Sequence, residues 1–125
     1  MKIENIKFKA KRLDGKGLAI GDLLHSYENG SIIVPIEGGG AFSVDPSTVC
    51  QFTGEKDMNG NEIYIGDIIS NLEAGSIIEV TWNERLKGLD CKFLNADKGL
   101  EVPFGIFVSR YKRIVVVGNK FDKEK

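Results

Sequence analysis

A single histidine, His25, and two cysteines, Cys50 and Cys91, are all the imidazole and thiol that this 125-residue chain holds. A nucleophilic triad needs a base beside its nucleophile. Neither a Gly-x-Ser-x-Gly elbow nor a cysteine near His25 in sequence supplies that pairing. His25 is therefore expected as a solvent-facing loop residue, and the cysteines as buried free thiols. One histidine and two scattered cysteines cannot assemble a structural zinc site. Asp57-x-Asn59-x-Asn61 imitates the start of an EF-hand loop. Its glycine, however, falls at the fourth position instead of the sixth, and Ile68 stands at the twelfth, where a bidentate Glu is required. A hairpin turn centred on Asn59-Gly60 is the better reading. Gly38-Gly39-Gly40 is followed by no Gly-Lys-Ser/Thr and by no helix to cradle phosphate, so it reads as a hairpin connection. No metal, cofactor or small-molecule substrate is expected.

The carboxylates that stand out are Asp22 and Asp67, because they recur in a repeat. Residues 14–33 align with residues 59–78 without a gap, and nine of the twenty positions are identical, including Ile20-Gly21-Asp22 against Ile65-Gly66-Asp67. Two equivalent acids meeting across a pseudo-twofold axis would make a general acid/base pair, the chemistry of an Asp-based hydrolase. The plainer expectation is that each Asp caps its own turn beside a glycine that bends the strand.

Positive charge gathers at the ends. The net charge of −1 divides into +4 over residues 1–17, +4 over residues 108–125 and −9 between them. Lys7, Lys9 and Lys11 alternate with Phe8 and Ala10, while Arg110, Lys112 and Arg113 flank Tyr111. Such interleaving can track a nucleic-acid backbone. The acidic middle favours a solvated edge strand instead, with lysines that discourage edge-to-edge pairing. Trp82, at a strand end, is expected in the core or at a subunit interface.

The elements that must carry these residues read as β structure. Asp14-Gly15 and Asn59-Gly60 are turn dipeptides. Each repeat copy reads strand, loop, strand. Further strands are expected at residues 49–53, 91–94, 103–108 and 112–117, where β-prone residues cluster. Pro46-Ser47-Thr48 starts at most one helical turn, and little else suggests helix. The expected fold is thus mostly β: small SH3-like barrels with a duplicated strand-turn-strand unit. Residues 1–50 would form an N-terminal β subdomain and residues 51–125 a C-terminal SH3-like barrel, together one compact unit.

From Gln51 to Ile69 the chain resembles the signature of the YopX family of phage and prophage proteins, through Gly54, Asp57, Asn59, Gly60, Gly66 and Asp67. Ile6 to Arg12, Val44 to Val49 and Val117-Gly118-Asn119 resemble the family's other landmarks, so the likeness spans nearly the whole chain. Glu55, Leu18 and Ile65 depart from the residues usual there. The resemblance implies a mostly β architecture, phage or mobile-element origin and a tendency to form homo-oligomers; it implies no enzymatic activity.

Together these readings predict a non-enzymatic accessory protein, a homo-oligomeric binding or interaction module whose partner is itself. The alternative is a nucleic-acid-binding module using basic N- and C-terminal strands, with Lys7, Lys9, Lys11, Arg110, Lys112 and Arg113 as contacts. Gly21 and Asp22 join the signature residues as turn positions. No apolar run is long enough to span a bilayer. The N-terminus lacks the apolar stretch of a secretory signal, so a bacterial host's cytoplasm is the expected location.

Overall fold

The structure, a computed structural model, describes residues 2–26, 30–35, 38–95 and 102–122. Glu28, Asn29, Ile36, Glu37 and the terminal residues 123–125, which bear on the repeat, the glycine loop and the terminal charge, lie outside the described residues. The chain divides into two compact units, residues 1–52 and 53–125.

The first unit is an antiparallel sheet of strands β1 (Phe8–Lys11), β2 (Leu18–Ser26), β3 (Gly30–Val34), β4 (Phe42–Ser43) and the start of β5 (Cys50–Lys56), in the order β4-β3-β2-β1-β5. Period-2 alternation in β1 buries Ala10 and turns Phe8 toward the same cluster. That cluster is small: Ala10, Ala19, Ile33 and Val44, with Phe8, Leu23, Phe42 and Val49 packed around it. Contrary to the sequence expectation, the lysine-bearing strand is no edge. β1 lies between β2 and β5, with Lys9 opposite Ile20 on one side and Cys50 on the other. The expected helical turn is present as a 3-10 turn at Pro46–Thr48, where the Asp45 carboxylate accepts from the Ser47 amide at 3.0 Å.

β2 runs for nine residues straight through Gly21-Asp22, so the first repeat copy has no turn there. Gly21 is needed for a different reason. A Cβ at this position would strike the Val34 carbonyl and come within 2.7 Å of Pro35 Cα, so only glycine lets β3 lie this close.

In the second unit the later part of β5 neighbours β6 (Glu62–Tyr64). A second antiparallel sheet follows, built from β7 (Asp67–Asn71), β8 (Ile77–Asn83), β9 (Gly88–Phe93), β10 (Val102–Pro103) and β11 (Ile114–Asn119), in the order β10-β9-β8-β7-β11. β10 and β11 end the row, so this sheet does not close into a barrel, and neither does the first. The core here is larger: Ile63, Ile69, Ile78, Val80, Cys91, Phe104, Phe107 and Ile114.

Residues 103–108, expected as a strand, form helix α1 (Phe104–Arg110) instead. Phe104, Phe107, Val108 and Tyr111 lie at i, i+3, i+4 and i+7, and all four belong to or pack against the core. That spacing is a helical stripe, and it overrides the β preference of the individual residues. Pro103 sits just before the first turn, where its missing N–H costs nothing. No helix among the described residues is long and apolar enough to cross a membrane.

Candidate functional site

Of the residues singled out by type and spacing, the signature group is drawn into the second unit's own scaffold. The Asp57 carboxylate accepts from the amides of Asn59 at 2.9 Å, Asn61 at 2.8 Å and Val116 at 2.9 Å, and from Asn61 Nδ2 at 3.2 Å. Gly60, at φ +84°, closes the hairpin, and the Asp57 amide donates to the Asn61 carbonyl at 2.9 Å. Burial pushes the Asp57 carboxyl up, but the donors from Val116, Asn61 and Asn59 outweigh it and hold the carboxyl below its ordinary value. Asp57 is thus a staple between the signature hairpin and β11.

Asp67 is a second staple, ten residues further along the chain. It is buried, its Oδ2 accepts from the Tyr64 amide at 2.7 Å, and its Oδ1 accepts from Asn119 Nδ2 at 2.9 Å. Gly66 adopts φ +99°, a left-handed conformation that suits glycine. Its amide donates to the Val80 carbonyl at 2.7 Å, and its carbonyl accepts from the Lys120 amide at 2.9 Å. Gly54, also left-handed at φ +89°, lies within β5. Tyr64 donates its hydroxyl to Glu62 at 3.0 Å, and burial followed by that carboxylate pushes its ionisation well upward.

Gly21 and Asp22, expected as turn residues, are corrected to strand positions. Asp22 is exposed in β2, opposite Val34. The two repeat carboxylates therefore lie in different units, one exposed and one buried. His25 is exposed as expected, but in β2 and opposite Ser31, not in a loop. Trp82 is 49% exposed at the end of β8, outside the core. Cys50 and Cys91 are free and buried, and burial pushes the Cys91 thiol up to about 12. Among the described residues, no three of His, Cys, Asp and Glu are grouped to hold a metal ion.

The six basic positions separate by unit. Lys7, Lys9 and Lys11 belong to the first, where Lys7 Nζ stands 4.8 Å from the centroid of the Phe52 ring. Arg110, Lys112 and Arg113 belong to the second, and they are not on a strand. Arg110 ends α1, and Lys112 and Arg113 occupy the connection to β11. Lys112 Nζ donates to the Val108 carbonyl at 3.3 Å, capping the helix end with a cation.

Two surfaces emerge that residue types and spacing did not single out. The first is the outward face of β2. Ala19 and Gly21 are buried and Leu23 packs toward the core, whereas Leu18, Ile20 and Leu24 are 54%, 46% and 52% exposed. Lys9 and Lys11 stand opposite Ile20 and Leu18, and Asp22 interrupts the aliphatic row. Apart from Asp22, the run Leu18 to Leu24 carries no polar side chain on either face, and that is the signal in the sequence that marks this surface.

The second surface is a cleft of about 130 Å³ in the second unit, lined by Ser76, Phe93, Val102, Ile106, Phe107, Arg110 and Tyr111. The Tyr111 ring lies 5.4 Å from that of Phe107. Arg110 is the one sequence-selected residue that the fold places there.

The family model described as YopX protein matches residues 8–124, nearly the whole chain, and the chain belongs to that family. No curated protein matches it significantly.

Proposed function

We propose that this YopX family member is a non-enzymatic accessory protein of phage or prophage origin that works as a homo-oligomeric interaction module in a bacterial cytoplasm. The observation that carries the reading is the open face of β2. Three large aliphatic side chains in one row are costly to leave in water, at about 25 cal/mol per Å² of apolar surface, and contiguous apolar patches mark interaction sites. A second copy of the chain suits this face. Its row of Leu18, Ile20 and Leu24 carries Lys9 and Lys11 on one flank and Asp22 within it. A twofold stacking sets one copy's negative group against the other's positive groups. The two buried free thiols accord with a reducing compartment.

The finer fold reading belongs to the same proposal. An SH3-like ancestry of the second unit is supported by its five-stranded antiparallel sheet, with one short helix before the last strand. Duplication is supported by the shared strand-loop-strand order and by Ile33 and Ile78, equivalent in sequence and both fully buried.

Light scattering at tens of micromolar tests the assembly. The native chain is expected to be an oligomer, and Leu24→Asp or Ile20→Asp a monomer with an unchanged circular dichroism spectrum. A native chain that is strictly monomeric removes the oligomeric element of the reading. Nucleic-acid binding is the second reading, favoured by Lys7, Lys9 and Lys11 on one strand. The aromatic ring beside them, Phe52, is buried and so is poorly placed to stack on a base. A salt-sensitive gel shift of single-stranded DNA, lost on changing the three lysines to Gln, would establish this second reading.

A further inference from the structure

The cleft beside α1 has the build of an anchor site, and it lies in the other unit from the proposed assembly face. At about 130 Å³ it is smaller than the pockets of roughly 300 Å³ or more that enclose small ligands. It compares with the cavity of about 150 Å³ that accepts one benzene-sized group. The space therefore suits a single branched or ring side chain presented by a larger partner. Phe93, Val102, Ile106 and Phe107 make most of its wall apolar. Ile106 stands on its rim 56% exposed, a costly placement for a side chain with no partner.

The polar side of the cleft selects charge. Arg110 is exposed there and forms no ion pair with any described residue. Ser76 and Tyr111 complete the lining. Of the three cations of residues 110–113, Arg110 alone lines the cleft; Lys112 is turned to the Val108 carbonyl at the helix end. A guanidinium without an ion pair beside an apolar wall suits a carboxylate that flanks an apolar side chain in an acidic segment.

We propose that the cleft lined by Phe93, Ile106, Phe107 and Arg110 binds an acidic peptide segment of a partner protein, seating one leucine-sized side chain among the apolar residues and a flanking carboxylate on Arg110.

The test uses the native, ¹⁵N-labelled chain and a blocked peptide, acetyl-Glu-Leu-Glu-Glu-amide. Amide resonances of Ser76, Phe93, Ile106 and Arg110 are expected to shift in a saturable way. Replacing the peptide's Leu by Gly, or its Glu residues by Gln, is expected to weaken binding about tenfold or more. Arg110→Glu and Ile106→Glu change exposed positions and so retain the fold; both are expected to abolish the shifts. Leu24→Asp, which breaks the proposed assembly, leaves peptide binding unchanged, so the two readings fail separately. Absence of saturable shifts at these residues with millimolar peptide overturns the proposal. Equal binding by the Gln peptide or by Arg110→Glu also overturns it, as does preference for a peptide ending in a free leucine carboxylate.

Discussion

The two Ile-Gly-Asp segments share nine of twenty residues, yet the structure uses them in opposite ways. In the first, Leu23 stands opposite Ile33; in the second, Ile69, not Ile68, stands opposite the equivalent Ile78. The pairing differs by one residue. Because side chains alternate with period two, one residue is enough to exchange the faces. Leu24 points out and is 52% exposed, whereas its counterpart Ile69 is fully buried. The difference begins at the glycines. Gly66 turns left-handed and separates β6 from β7, while Gly21 stays extended inside a continuous β2. A turn in one copy and a through-strand in the other put the following Asp inside one unit and on the surface of the other. The same residues thus make a structural staple in one place and the open face we assign to assembly in the other.

Breaking the staples tests this contrast most severely. Asp67→Ala removes the carboxylate that accepts from the Tyr64 amide and Asn119 Nδ2 and is expected to cost about 3 kcal/mol, whereas Asp22→Ala stays within about 0.5 kcal/mol. Urea unfolding measures both, and equal losses would show that the two carboxylates are equivalent after all. Next come the glycines. Gly66→Ala is expected to cost about 1–3 kcal/mol through backbone strain. D-alanine, which favours positive φ, should restore most of that loss at position 66. At position 21 neither enantiomer is expected to help, because the Val34–Pro35 backbone obstructs an L-alanine Cβ and the backbone there lacks the positive φ that D-alanine favours. Rescue by D-alanine at both sites would refute the difference in conformation.

A smaller effect concerns acid. The folded-state Asp57 carboxyl lies below its ordinary value of 3.8, so its contribution is fully present above that value and is lost as pH falls through the lower, folded value. Unfolding followed by urea between pH 5 and pH 2 should therefore show stability falling on the acid side. Asp57→Asn, which cannot ionise, should flatten that limb. An unchanged acid limb in the variant would mean that the four hydrogen bonds to Asp57 do not hold the charged form.

Much of this was legible in the residues themselves. The Asn59-Gly60 turn, the inward Ala10 of β1 and the short 3-10 turn at Pro46 follow from chemistry acting over a few positions. The helix at Phe104–Arg110 was also written in the spacing of its apolar residues, but the β preference of Phe, Ile and Val taken singly obscured it. The signature's role was harder to see. Asp67 looked equivalent to Asp22 because identity in sequence carries no information about a partner such as Asn119, 52 positions away.

The duplicated Ile-Gly-Asp pattern, the turn dipeptides, the catalytic groups in short supply and the family signature were all determined by the sequence alone, because each is a matter of residue type and near neighbours. Only the tertiary structure decided which copy bends, which aspartate is buried, and that Arg110 meets Phe93 and Phe107 at one cleft. Those outcomes depend on strand register and on contacts between distant segments, where a slip of one residue reverses every side chain that follows.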